Sequence, residues 1–240
     1  VLYWVGCAVA LDPRAQKIAR SMAELFNSAG VDGAVIGKEE KCTGDTARRT
    51  GNEYLFAQMA AENIAALDEI KPKVIVTTCP HCFHTIANEY SQFGGDYVVK
   101  HHTDYINELI REGKLKLSPK GDATVTYHDP CYLGRHNGIF DPPRALIQAT
   151  GAKLTEPGRT RSNSFCCGAG GGQFWKEEEK GNERVATNRY RELKQTGAKI
   201  VATGCPFCMR MITEETAKEE PETAMEVLDI AEIVARNLAK

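Results

Sequence analysis

The chain has 240 residues, 42 % of them hydrophobic and 26 % charged, with a formal net charge of −2. This is ordinary soluble globular composition, long enough for one large domain or two small ones with real cores. The charge balance gives no footprint for nucleic acid or an anionic membrane surface, no apolar run approaches the ~18 residues of a membrane span, and no secretory signal opens the chain.

Val1 begins the chain without Met and leads straight into the apolar run Val1-Leu2-Tyr3-Trp4-Val5, which predicts a larger parent. The run reads as a short buried strand ending at Gly6-Cys7. Pro13 then opens a helical pattern with Ile18, Met22, Leu25 and Phe26 on one face and Gly30 as its stop. Gly33 to Ile36 is a second strand candidate, and a polar loop from Lys38 to Asp45 carries Cys42-Thr43-Gly44. Asn52 to Ile70 is an amphipathic helix. Val74-Ile75-Val76 is a β-branched strand running into Cys79-Pro80-His81-Cys82, where Pro80 suits the first turn of a helix continuing to about Tyr90. Tyr97-Val98-Val99 is a further strand, followed by a helix over Tyr105 to Ile110.

Glu112 to Asp122 reads as a linker, and after it the order repeats. Ala123 to Tyr127 is a strand ending at His128-Asp129-Pro130-Cys131. Pro143 opens a helix, and Ala152-Lys153-Leu154 is a strand candidate. The loop Cys166-Cys167-Gly168-Ala169-Gly170-Gly171-Gly172 follows, then a long predicted helix from Gln173 to Gln195 that Gly181 weakens. Ile200-Val201-Ala202 runs into Cys205-Pro206-Phe207-Cys208 and a helix. Met225 to Leu228 and Ile230 to Leu238 close the unit as strand and helix.

This is an internal repeat. Thirty-four residues separate Cys7 from Cys42, and thirty-four separate Cys131 from Cys166. Cys79-Pro80-His81-Cys82 aligns with Cys205-Pro206-Phe207-Cys208. The repeats, 1–115 and 116–240, predict an α/β fold of two Rossmann-like lobes related by a pseudo-twofold, with mostly parallel sheets. Ligands in such sheets collect beyond the carboxyl ends of strands, where Cys7, Cys79, Cys131 and Cys205 sit.

Nine cysteines without secretory signals point to metal ligands rather than a disulfide framework. Five thiols, Cys131, Cys166, Cys167, Cys205 and Cys208, arrive from three places, and soft thiolates are preferred ligands of iron–sulfur clusters and zinc. Gly168, Gly170 and Gly171 can bring bare backbone N–H groups close to a cluster. Helices starting at Pro80 and Pro206 add positive dipole, which favours thiolate. Adjacent Cys166-Cys167 is awkward for a tetrahedral ion and suits a cluster with a bridging thiolate.

Other readings stay open. Cys79 and Cys82 also have the layout of a thioredoxin-like redox motif, and a structural zinc scaffold is another alternative. The glycine run resembles a phosphate cradle without its G-K-[ST] ending. His81, His128, His136 and His101-His102 lie close enough to cysteines to tune a cluster or pass protons, or merely tie loops. Arg48-Arg49 is an anion site or a solvated pair, and Lys176 to Lys180 is an exposed helix face.

The stretches Lys41-Cys42-Thr43-Gly44-Asp45, Thr78-Cys79-Pro80-His81-Cys82-Phe83, the segment from Tyr127 to His136, and the segment from Phe165 to Gly172 carry a family pattern, Cys…Cys-Cys-Gly…Cys-x-x-Cys, in two copies. The whole chain resembles the cysteine-rich CCG domain family, which includes heterodisulfide reductase catalytic subunits. Within it the chain is most similar to membrane-bound oxidoreductases that pass electrons from electron-transfer flavoprotein to quinone. The resemblance implies a non-cubane [4Fe-4S] cluster on Cys131, Cys166, Cys167, Cys205 and Cys208. Thr43 replaces the matching cysteine of the first repeat, so Cys7, Cys42, Cys79 and Cys82 would form a different, second iron–sulfur site or line a cleft. The function implied is electron transfer between a flavoprotein or ferredoxin-type donor and a quinone or disulfide acceptor. The alternative is thiol–disulfide reduction at Cys79 and Cys82 or at the cluster. The module would belong to a larger chain or complex at the cytoplasmic face of a membrane, held there by parts outside this sequence.

Overall fold

The computed structural model describes residues 1–119, 121, 123–177 and 181–239. Strand β1 (Leu2–Trp4) is wholly buried. It leads into the short helix α1 (Cys7–Leu11), which no sequence signal predicts. Helix α2 (Gln16–Ser28) buries Ile18, Met22, Leu25 and Phe26, the face read from the sequence. The strand expected at Gly33 to Ile36 shrinks to one parallel bridge between Leu2 and Ala34. Helix α3 (Asp45–Arg49) begins directly after Gly44, whose φ of 87° is left-handed. Helix α4 (Glu53–Ile70) is capped by Asn52, whose side chain accepts the Leu55 N–H at 3.0 Å, and buries Phe56, Ala60, Ile64 and Leu67 at helical spacing.

Strand β2 (Ile75–Thr77) feeds α5 (Pro80–His84), with Cys79 immediately before the first turn. The helical path continues past His84, but as a π turn over Thr85–Glu89 and a 3₁₀ turn over Tyr90–Phe93. The wide turn aims Glu89 at Arg49, and the hydroxyl of Tyr90 donates to Thr43 O at 3.1 Å. Strand β3 (Val99–His101) and helix α6 (His102–Arg111) complete the first half.

The second half repeats the order with β4 (Thr124–His128), α7 (Asp141–Ala149) and the short β5 (Lys153–Leu154). Helix α8 is confined to Val185–Lys194, so the helix expected from Gln173 is corrected. Only one 3₁₀ turn forms over Gln173–Trp175. Between Trp175 and Val185 the sequence offers no apolar side chain to bury, and Gly181 interrupts it. Residues 178–180 of the expected exposed helix face lie outside the described residues. Strand β6 (Ile200–Thr203), helix α9 (Pro206–Thr216), strand β7 (Glu226–Asp229) and helix α10 (Ile230–Ala235) close the chain.

All strand pairs in both sheets are parallel. The first sheet has order β1-β2-β3 and the second β5-β4-β6-β7. With the Ala34 bridge beyond β1, the two sheets share one strand order. The expected linker is not free: Leu115 is buried, Ser118 N–H donates to Asn237 O at 2.8 Å, and Ala239 N–H to Lys116 O at 3.0 Å. Lys120 and Asp122 of that linker lie outside the described residues.

One core joins the halves, with Met22, Phe26 and Ile106 from the first packed among Leu146, Ile147 and Val234 from the second. Beside it, His102 Nε2 lies 3.0 Å from Asp229 Oδ1, both fully buried. A second core gathers Trp4, Phe56 and Ile86 with Cys79, Cys82, Cys167, Cys205 and Cys208. These five thiols therefore sit in a buried region lined by both halves, while Cys7, Cys42, Cys131 and Cys166 are partly exposed.

Candidate metal centre

Cys131 lies in the turn after β4, and Asp129 holds that turn. Arg144 of α7 grips the Asp129 carboxylate with both terminal nitrogens, each at 2.8 Å. The same carboxylate accepts Arg161 N–H at 2.8 Å and the Thr160 hydroxyl at 3.0 Å. The Ser164 hydroxyl donates to Asp129 O at 3.1 Å. Burial works to raise the Asp129 carboxyl, but the Arg144 guanidinium outweighs it and holds the group below the usual range. The turn carrying Cys131 is thus joined to the loop that delivers Cys166 and Cys167.

Within that loop Cys167 Sγ lies 3.3 Å from Cys208 Sγ, and Gly168 N–H donates to Cys166 Sγ at 3.3 Å. Gly168 has φ 93° and a Cβ there would meet Val185 Cβ at 3.2 Å, so a bare backbone is required. Gly170 and Gly171 shape the turn instead: Gly170 O accepts the Gln173 N–H at 3.2 Å and Gly171 has φ 64°. Cys205 immediately precedes α9, and Cys208 sits in its first turn. The Cys131 and Cys167 thiols hydrogen-bond Cys166 and hold it far towards thiolate, while Cys131 and Cys167 rise in consequence. Burial pushes Cys205 up, but Cys208 and His81 bring it down to about 7. All five thiols named from the sequence converge. Five soft donors gathered here, three buried and two partly exposed, fit a thiophilic iron–sulfur group.

The first half builds a matching set. Gly44 N–H donates to Cys42 Sγ at 3.5 Å, as Gly168 does to Cys166. The Thr43 hydroxyl donates to Cys82 Sγ at 4.0 Å, the place taken by Cys167 against Cys208. Cys7 hydrogen-bonds Cys42 and lowers it. Burial pushes Cys79 up, but Cys82 and His81 lower it on balance. Glu40 accepts N–H bonds from Val5 at 3.0 Å and Gly6 at 2.6 Å and so holds the turn before Cys7.

His81 lies between the two sets. Its Nδ1 is 3.8 Å from Cys79 Sγ, and it also bonds Cys205. Burial works to lower His81, but the Cys205 and Cys79 sulfurs raise it well above its ordinary value. His81 packs on Tyr132 with ring centroids 4.2 Å apart, and His136 covers the other part of that ring at 4.7 Å. Burial and His102 push His101 down, so its neutral ring donates from Nε2 to Gly204 O at 3.1 Å, just before Cys205. His128 is enclosed beneath Cys167 and Cys208. Arg48 and Arg49 make their ion pairs within their own half: Arg49 pairs with Asp45 and Glu89, and Arg48 with Glu53 at 3.3 Å and Gln92 at 2.8 Å, while the Arg49 guanidinium also lies over the Tyr132 ring of the second half at 5.8 Å.

The sequence alone does not single out Asp129, Arg144, Glu40, Tyr132 or Arg189. The one available signal is an Asp-Pro directly after a buried strand, a place where a turn must be held. A cleft of about 1000 Å³ runs past Cys7, Gly168, Phe174, Trp175, Phe207 and Arg210.

The cysteine-rich domain family CCG matches residues 1–87 and again 125–213. The chain belongs to the CCG family. Among curated relatives, the probable iron-sulfur-binding oxidoreductase FadF of Bacillus subtilis (strain 168) is 42 % identical over 238 residues, covering 99 % of this chain and 34 % of that protein. The EtfAB:quinone oxidoreductase of Syntrophomonas wolfei is 39 % identical over 239 residues, 97 % of this chain and 34 % of that protein. One subunit of the dihydromethanophenazine:CoB–CoM heterodisulfide reductase of Methanosarcina acetivorans is 31 % identical over 245 residues, 99 % of this chain and 59 % of that protein. The chain therefore spans about a third of the first two and under two thirds of the third. In CCG terms the second match contains Cys166-Cys167 and the first Cys42-Thr43. Among the described residues no helix is long and apolar enough to cross a membrane.

Proposed function

We propose that this CCG protein is an iron–sulfur electron-transfer oxidoreductase module, built from two repeats over 1–115 and 116–240. In this reading Cys131, Cys166, Cys167, Cys205 and Cys208 hold a non-cubane [4Fe-4S] cluster, with Gly168 lending its N–H to the thiolate of Cys166. When bound, that group supplies one-electron transfer. The chain's own residues keep it dry, fix the thiols and steady the loops through Asp129 and Arg144. The observation that carries the reading is the convergence of five thiols, Cys167, Cys205 and Cys208 buried and Cys131 and Cys166 partly exposed, with Cys167 set 3.3 Å from Cys208.

Cys7, Cys42, Cys79 and Cys82 form a second, four-thiol site in this reading, without a bridging thiol because Thr43 stands in that place. Electrons would arrive from an electron-transfer flavoprotein or a ferredoxin-type subunit and leave to a quinone or disulfide acceptor, as the names of the similar proteins support. The cleft beside Cys7 and Gly168 is the natural place for such an acceptor. Attachment to the cytoplasmic face of a membrane would come from segments outside this sequence. Direct thiol–disulfide exchange at Cys79 and Cys82 is disfavoured, since both thiols are enclosed at 1 % and 5 % exposure and attack needs access.

Anaerobic purification followed by iron and sulfide analysis and EPR tests the proposal. At least about four iron per chain, with one EPR signal lost in Cys167→Ser, is the expected result. Stoichiometric zinc without iron, or a signal indifferent to Cys167→Ser, would refute it.

A further inference from the structure

Behind the thiols lies a buried pair that the ligand set leaves unused. His128 closes β4 at 1 % exposure, and Arg189 on α8 is fully buried. Arg189 Nε–H donates to His128 Nδ1 at 3.0 Å. Its Nη1 is anchored on Arg159 O at 2.9 Å and Glu192 Oε2 at 2.8 Å, so the guanidinium cannot swing away freely. A guanidinium offers donors only. Nδ1 of His128 must therefore present its lone pair, which leaves the ring hydrogen on Nε2.

That Nε2 is enclosed and has no hydrogen-bond partner among the described residues. A buried donor left unpaired is destabilising. A ring nitrogen of His128 and the sulfurs of Cys167 and Cys208 lie within 4.8 Å of one another. With Nδ1 taken, Nε2 is the nitrogen free to serve that sulfur-lined space.

The other repeat supports the same design. Trp4 pairs in register with Thr77, as His128 does with Thr203, and each stands three residues before the first cysteine of its repeat. Trp4 is also fully buried, with Nε1–H unpartnered among the described residues. An indole is only ever a donor. Both repeats thus end their first strand on a buried residue whose ring N–H group is unpartnered among the described residues. The indole needs nothing to fix its hydrogen; the imidazole does, and Arg189 supplies it.

We infer that His128 is a positioning residue whose Nε2–H is directed at the sulfur of the group held by Cys167 and Cys208, and that Arg189 locks the tautomer that makes this possible. Hydrogen bonds to cluster sulfur stabilise the more negative, reduced state and raise the potential. The inference rests on the cluster reading above.

Pulsed EPR on anaerobically purified protein carrying ¹⁵N-histidine tests it, with iron assay and redox titration alongside. The expected result is a weak histidine nitrogen coupling and a deuterium-exchangeable proton at the cluster. Both vanish in His128→Phe with iron retained, and the midpoint potential falls. Arg189→Leu is expected to shift the potential in the same direction, and Arg189→Lys, which keeps a donor, to restore part of it. Should His128→Phe lose its iron, the wild-type coupling is assigned instead by comparison with His81→Gln and His101→Gln, whose spectra should retain it. A strong coupling typical of nitrogen bonded to iron overturns the inference, because His128 would then be a ligand. Full iron with no His128-dependent coupling also overturns it while leaving the cluster reading standing. Protein without iron overturns both.

Discussion

Replacing Arg144 with Met isolates the force that holds the thiol-bearing loops. Arg144 is 5 % exposed and donates to Asp129, Glu156, Phe140 O and Thr160. Met fills much of its volume but strands the Asp129 carboxylate, itself 2 % exposed. Breaking a buried pair from one side costs about 3–5 kcal/mol. Two partners soften the loss here, because Arg161 N–H and the Thr160 hydroxyl still reach Asp129. An effect near 3 kcal/mol is therefore expected, read as a lower urea midpoint under anaerobic conditions, together with faster loss of iron to a chelator. The pH dependence follows from the depressed carboxyl of Asp129. Its stabilisation is complete above the unfolded value of about 3.9 and is lost as pH falls through the lower folded value. The gap between wild type and Arg144→Met should narrow as pH drops below about 4. Asp129→Asn combined with Arg144→Met should cost less than the two single changes added, by about 0.5–3 kcal/mol. A loss under ~1 kcal/mol with strict additivity would show that the pair does not hold the turn.

Three further outcomes are expected. Cys167→Ser should abolish the EPR signal of the five-cysteine site and release its iron while the far-ultraviolet circular dichroism stays unchanged, since a hydroxyl is a poor soft-metal ligand. Thr43→Cys should add a second signal of the same type, and an unchanged spin count at full iron analysis would refute the equivalence of the two sites. Gly168→Ala forces a side chain into φ 93° and to 3.2 Å from Val185; a loss of roughly 1–2 kcal/mol in urea unfolding, with reduced iron retention, is the result to look for.

The thiols are legible in the sequence because their chemistry is carried by residue type and their placement by strand ends. A β-branched run stopping at Cys-Pro tells both where the strand ends and where the helix starts, and Cys79 and Cys205 stand there. The polar frame is not legible. Asp129 and Arg144 are fifteen residues apart on a turn and a helix, and Arg189 meets His128 across sixty-one residues, with no periodicity linking either pair. The long helix expected from Gln173 does not form because helix propensity there runs through a charged stretch that has no face to bury. The π turn after His84 also escapes, since Pro80 signals a helix start and nothing in that segment signals a change of pitch.

The two repeats differ less in shape than in ligand chemistry. Gly44 and Gly168 place their N–H groups on Cys42 and Cys166 at 3.5 and 3.3 Å, so the backbone around both sites has kept one geometry. Thr43 is 2 % exposed and its hydroxyl still points at Cys82, at 4.0 Å where the sulfur pair Cys167 and Cys208 closes to 3.3 Å. Threonine is β-branched and nearly matches cysteine in reach, so it preserves packing while withdrawing a soft donor. His81 then ties the altered site to the intact one, with Cys79 on one side and Cys205 on the other. One imidazole thus touches a thiol of each half. His81 is itself buried at 8 % exposure, and charges in such a place are screened less than at the surface.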